Sequence, residues 1–123
     1  IMKKIFLMFL VSVITLFAYE ELNINNFEDK IKDKNVIVDF YAPWCPPCKI
    51  VANNFEDFDI TKPDNVQVYK VNVDDESTLA KKYGVSRLPT IIYFKNGKVV
   101  KDYVGVLTSE ELLQASKENF KLR

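Results

Sequence analysis

Histidine is absent from this 123-residue chain, and with it go the commonest general base and the commonest metal ligand. Charge of one sign is lacking too. The 17 basic residues are matched by 17 acidic ones, which argues against a nucleic-acid footprint and a polybasic membrane surface. No internal repeat, low-complexity stretch or linker interrupts the chain. Its length and 48% hydrophobic content fit one domain with one compact core. Cysteine occurs twice, at Cys45 and Cys48. That is short of the further Cys or His that a closed metal site needs.

One long apolar run exists, "IFLMFLVSVITLFA" from Ile5 to Ala18. It follows Met2, Lys3 and Lys4, and polar sequence begins at Glu20. A basic start, a short apolar core and a small residue at the end form the order of a secretory signal. A spanning helix takes about 20 apolar residues, so the expectation is a cleaved signal over residues 1–18 and an exported domain over 19–123. The alternative is an uncleaved anchor that holds the domain at the membrane, facing the periplasm. No cysteine follows the run to carry a lipid. Met2 and Met8 belong to this segment and form no site.

Beyond it, strand and helix signals alternate. "VIVDFYA" (Val36 to Ala42) and "VQVYKVNV" (Val66 to Val73) read as strands. "TIIYF" (Thr90 to Phe94) and "KVVKDYV" (Lys98 to Val104) flank Asn96-Gly97, a strong hairpin signal that predicts antiparallel pairing. Helices are predicted for Asn26 to Lys32, Cys45 to Phe58, Ser77 to Tyr83 and Ser109 to Lys121. The last opens "TSEELL", with acidic residues in the first turn where they favour the helix dipole. The expected order is β-α-β-α-β-α-β-β-α. Strand-helix-strand units call for parallel crossovers and the hairpin for an antiparallel edge, giving an α/β fold with a mixed central sheet between helices.

"APWCPPCK" (Ala42 to Lys49) therefore follows a strand and opens a helix. At a helix N-terminus unpaired N–H groups and the dipole favour an anion, and a thiolate is one. Pro46 and Pro47 are tolerated there because first-turn N–H groups lack helical partners. Three uses of the pair are open at this level: redox exchange, a small static disulfide, or a copper- or zinc-binding module. A four-residue loop restrains the unfolded chain little, and Lys49 stands where haem attachment would need His. Asp39 sits in an apolar strand, where a carboxylate is costly without a purpose. It is either one half of an inward ion pair with Lys70 or a proton-transfer group. Trp44 is a surface aromatic or a substrate platform beside a reactive thiol.

"VDFYAPWCPPCK" (Val38 to Lys49) resembles the active-site segment of the thioredoxin family. "KVNVD" (Lys70 to Asp74), "YGVSRLPTIIYFKNGK" (Tyr83 to Lys98) and "VG" (Val104 and Gly105) resemble that family's third strand, proline loop with hairpin, and late glycine. An Asp six residues before the first Cys, and "LPT" about forty residues after it, make the match specific. The resemblance implies a thioredoxin fold and protein-disulfide oxidoreductase activity needing neither cofactor nor metal. It assigns Cys45 as attacking thiolate, Cys48 as resolving cysteine, the two together as the redox disulfide, and Asp39 as proton acceptor with Lys70 in support. It implies a cis Leu88-Pro89 bond and a substrate surface of Trp44, Leu88, Pro89 and Gly105. Implied partners are disulfide-containing proteins and a membrane or soluble thiol donor, with the chain a monomer in the bacterial periplasm.

Departures from the family pattern are Pro46-Pro47 where Gly-Pro is common, Asn53 where a helix-kinking proline is expected, and Tyr41 at a usual tryptophan position. Neither proline donates an N–H, so the nearest donor to a Cys45 thiolate is Cys48 itself. A less stabilised thiolate makes a better reductant. A reductase is thus the expectation, against an exported oxidase or isomerase. The specialised oxidases carry a large helical insertion, for which the span from Cys48 to Pro89 has no room.

Overall fold

The computed structural model describes residues 19–123. The expected signal over 1–18, with Met2 and Met8, lies outside them. Nine elements follow in order: β1 (Glu20–Glu21), α1 (Phe27–Ile31), β2 (Asn35–Tyr41), α2 (Pro46–Thr61), β3 (Val66–Asn72), α3 (Ser77–Lys82), β4 (Thr90–Lys95), β5 (Lys98–Val104) and α4 (Ser109–Phe120). They match the expected order. The sheet runs β1-β3-β2-β4-β5, with β3 parallel to both β1 and β2 and β4 antiparallel to both β2 and β5. None of the described helices is long and apolar enough to cross a membrane.

β2 lies at the centre, and both its faces are buried, which is why its sequence is apolar almost throughout. Val36, Val38 and Phe40 point to one side and pack with Phe27 and Ile31 of α1 and Leu79 of α3. Ile37 points to the other, among Val51, Phe55 and Phe58 of α2 and Leu112 of α4. Each such buried side chain contributes about 1.5–3 kcal/mol, so β2 anchors both layers. Its C-terminal end delivers the chain directly into the cysteine segment.

Three local devices fix the frame. Asn96 and Gly97 both take positive φ, 53° and 80°, which joins β4 to β5 with the twist a tight hairpin requires. At the start of α4, the Thr108 hydroxyl accepts from the Glu111 N–H at 3.1 Å while the Glu111 carboxylate accepts from the Thr108 N–H at 3.1 Å; this reciprocal capping satisfies two otherwise free donors. α2 continues without a break through Asn53 and reaches Thr61 rather than Phe58. The Lys62 N–H closes its last turn on the Phe58 carbonyl at 2.7 Å. Pro63 then forces Lys62 into an extended conformation and ends the helix.

Candidate active site

Cys45 is the N-cap of α2 rather than its first residue, and Pro46 and Pro47 fill the first two helical positions. The two sulfurs are joined as a disulfide, with Cα atoms 5.3 Å apart. The Cys48 N–H points at the Cys45 sulfur at 3.3 Å. It is the donor that sequence reasoning singled out, because neither proline has an N–H to offer.

Exposure of the whole residues does not separate the two cysteines. Cys45 is 4% exposed and Cys48 3%, since both pack with Ala42 against Tyr41, Val73 and Leu88. What distinguishes them is the cleft of about 450 Å³ beside the disulfide, which Cys45 lines and Cys48 does not. Of the expected substrate surface, Trp44 and Leu88 line it and Pro89 and Gly105 do not; Pro46 and Pro47 add to its wall. Val73, Val85 and Ser86 complete it, and sequence reasoning missed these three. Their only signal is membership of the "KVNVD" and "YGVSRLPT" segments.

Trp44 stands 68% exposed at the mouth of the cleft, its indole N–H donating to the Asp74 carboxylate at 3.0 Å. That bond fixes the ring as a wall rather than a free aromatic. The Leu88-Pro89 bond is cis, as the resemblance implies. Pro89 itself is buried behind Leu88, and the half-buried Gly105 sits next to it, its N–H donating to the Pro89 carbonyl at 2.9 Å. The loop and the end of β5 are thereby tied together beside the cysteines.

Asp39 is 1% exposed, and burial pushes its carboxyl up to about 7. A hydrogen bond from Tyr19 and the positive charge of Lys70 act in the opposite sense. The carboxyl can therefore take up or release a proton near neutral pH. Its position follows from the strand period. On β2, Asp39 shares a face with Ile37 and Tyr41. Val51 of α2 packs in the cluster that holds Ile37, and Cys48, one turn earlier, packs against Tyr41. Asp39 therefore occupies the strand position between Ile37 and Tyr41, on the face that α2 covers.

The ion pair with Lys70 does not form, although Asp39 and Lys70 are register partners across β2 and β3. The Lys70 ammonium lies instead over the rings of Tyr19 and Tyr41, 5.3 and 5.6 Å from their centroids. The electron-rich faces of such rings attract an ammonium. Among the described residues no cluster of three or more His, Cys, Asp or Glu side chains is arranged to hold a metal ion.

Residues 18–118 match the family model described as Thioredoxin. A thioredoxin of Alicyclobacillus acidocaldarius subsp. acidocaldarius is 41% identical over 88 residues, covering 71% of this chain and 84% of that relative. A thioredoxin of Bacillus subtilis (strain 168) is 38% identical over 87 residues, again 71% of this chain and 84% of the relative. The crystal structure of Malassezia sympodialis thioredoxin aligns with a TM-score of 0.75 at 34% identity, covering 82% of this chain and 90% of that one.

Proposed function

The chain belongs to the thioredoxin family of thiol–disulfide oxidoreductases, and from that premise we propose that it is an exported, monomeric reductase of protein disulfides. The Cys45 thiolate attacks one sulfur of a partner's disulfide and expels the other as thiolate, leaving a mixed disulfide. Cys48 gives its proton to Asp39, and its sulfur attacks Cys45. The Cys45–Cys48 disulfide forms and the partner's second thiolate leaves. A membrane or soluble thiol donor then restores the dithiol. The partner enters as an extended chain along the backbone at Leu88, beside Pro89 and Gly105, adding a strand in the cleft that Trp44 walls.

The observation that carries the direction of electron flow is the single N–H, from Cys48, on the Cys45 sulfur. With Pro46 and Pro47 at the first two helical positions, the thiolate lacks two amide donors that other residues would supply. The reduced form is correspondingly less favoured, which makes the dithiol a stronger reductant. Between α2 and the loop before β4 the chain holds only β3 and α3, so the helical insertion of specialised oxidases has no counterpart here.

Redox titration of wild type and Pro47→His against glutathione tests this reading. The histidine restores one N–H and can add a cation beside Cys45, so its potential should rise by about 30 mV or more, the equivalent of roughly 1.4 kcal/mol for a two-electron couple. An unchanged or lower potential in Pro47→His would overturn the account of the prolines. A wild-type potential near about −120 mV, that of a strong oxidase, would overturn the reductase assignment. Export rests on the basic start and apolar run of residues 1–18. Mass spectrometry of the cell-made protein should find an N-terminus near Tyr19; residues 5–18 intact in the membrane fraction would mean an anchor.

A further inference from the structure

Among the described residues, the buried Asp39 carboxylate has one direct partner, and it is not the lysine beside it. The Tyr19 hydroxyl donates to Oδ2 at 3.2 Å, while Oδ1 has no protein partner. Tyr19 immediately precedes β1. It is itself only 8% exposed, and its ring stacks on Phe55 of α2 at 5.4 Å, so packing delivers its hydroxyl in a fixed direction. Burial, followed by the charge of Asp39, raises the phenol above its ordinary range and keeps it protonated as a donor. Lys70 is drawn off onto the Tyr19 and Tyr41 rings, and the Tyr41 hydroxyl in turn donates to Glu21.

We propose that Tyr19 is the positioning residue of the Asp39 carboxylate: by pinning Oδ2 it makes Oδ1 the oxygen that receives the Cys48 proton, in place of a direct contact from Lys70. The inference rests on Asp39 being the proton acceptor of the resolving step. An ionised carboxylate without a donor is expensive in an apolar layer, and a hydrogen bond to the charged form is among the stronger ones. In the step itself, the Cys48 S–H proton passes to Oδ1. The freed electron pair forms the bond to the Cys45 sulfur, and the partner's sulfur departs with the electrons of the broken mixed disulfide. When a donor thiol reduces Cys45–Cys48 again, the Cys48 thiolate recovers the proton from Asp39.

The groups that act on Asp39 come from several elements. Tyr19 comes from the segment before β1, Tyr41 from β2 itself, Lys70 from β3 and Cys48 from α2, with Glu21, Glu56 and Asp75 acting on the two tyrosines from further out. β4 sets the apolar Ile91 opposite, and α4 contributes Leu112 and Ala115 to that face. Tyr19 and Lys70 both favour the ionised carboxyl, and the direct bond is the larger of the two effects.

The test compares wild type, Tyr19→Phe, Lys70→Gln and Asp39→Asn, each in the form the cell makes. One readout is the carbon-13 NMR titration midpoint of the Asp39 carboxyl. The other is the pH profile of the resolving step, followed as release of the second coloured thiolate from a nitroaryl disulfide. Tyr19→Phe keeps the ring, so the stack on Phe55 survives. It should move both readouts upward by about one pH unit, the size expected for losing a hydrogen bond to a charged group, and Lys70→Gln should move them less. In wild type, the Tyr19 ring carbon that bears the hydroxyl should report the Asp39 midpoint without any substitution. The inference is overturned if Lys70→Gln causes the larger shift, if Tyr19→Phe moves neither readout while Asp39→Asn slows resolution, or if the Tyr19 carbon ignores the Asp39 titration. Should Asp39→Asn resolve with the wild-type rate and pH profile, Asp39 is not the acceptor and the premise falls as well.

Discussion

Phe40 and Asp39 are neighbours on β2, buried to the same depth at 0% and 1% exposure, and they face opposite sides of the sheet. Phe40 enters an aromatic cluster with Phe27, Tyr83 and Phe94, whose rings lie 5.1–6.4 Å apart. Asp39 enters a layer where its carboxyl meets one hydroxyl and no countercharge within ion-pairing reach. The α1/α3 side gathers apolar and aromatic groups around Phe40, whereas the α2/α4 side admits a carboxylate at the end where the disulfide sits. Burial depth therefore does not say what a residue does for stability. Chemistry at that depth does, and the two sides of one strand divide the work between holding the fold and moving a proton.

The largest stability difference between the sides should come from Phe40→Ala. Emptying a fully buried ring site costs about 3–5 kcal/mol, and the loss should be equal at pH 5 and pH 8 because no titrating group is involved. Urea unfolding at the two pH values measures it; a strongly pH-dependent loss would mean that the two layers are not separate.

Asp39→Asn should act with the opposite sign and only at high pH. The folded carboxyl titrates at about 7 instead of 3.8, so between those values the native state binds the proton more tightly than the unfolded chain. Wild-type stability consequently falls as pH rises through that window. The neutral amide escapes the fall and should be more stable than wild type above pH 7, by up to about 4 kcal/mol. The gain should fade to nothing below about pH 4. The same substitution should slow resolution by about 10²-fold or more, the usual worth of a positioned base. Denaturation series at pH 4, 6 and 8 decide the matter. An Asp39→Asn protein no more stable than wild type at pH 8 would show that burial does not strain this carboxyl.

Strands and helices were legible because each carries its own period. Lys98–Val104 coincides with β5, and the other expected elements are displaced by a residue or two except α2, which Pro63 rather than any change in pattern terminates. The two-residue β1 was counted in the order but could not be located, since two residues have no period and its pairing with Tyr69 and Lys70 is a long-range event. Within the site, Cys45, Cys48, Asp39 and Trp44 announced themselves by residue type and spacing. Tyr19 did not. It stands beside the apolar segment that reads as a leader, and its bond to Asp39 exists only once β1 has docked on β3. Lys70 was identified as Asp39's neighbour, yet the ring faces that draw its ammonium away belong to Tyr41 on β2 and Tyr19 just before β1.

The two outer strands carry a further consequence, one of colloidal behaviour. An unpaired strand edge is a template on which a neighbouring molecule can add its own strand, and a chain whose 17 basic and 17 acidic residues nearly cancel, with or without Lys3 and Lys4, has little net repulsion to keep copies apart. One edge of this sheet is β1, whose two residues, both Glu, offer too short a ladder to extend. The other is β5, seven residues long with Val99, Val100 and Val104 exposed, but Lys98, Lys101 and Asp102 are interspersed along it. A second copy stacked there in register would set like charges side by side. Resistance to edge-to-edge growth thus resides in those few charged strand positions, and a neutral substitution at Lys101 would weaken it without touching the core or the redox pair.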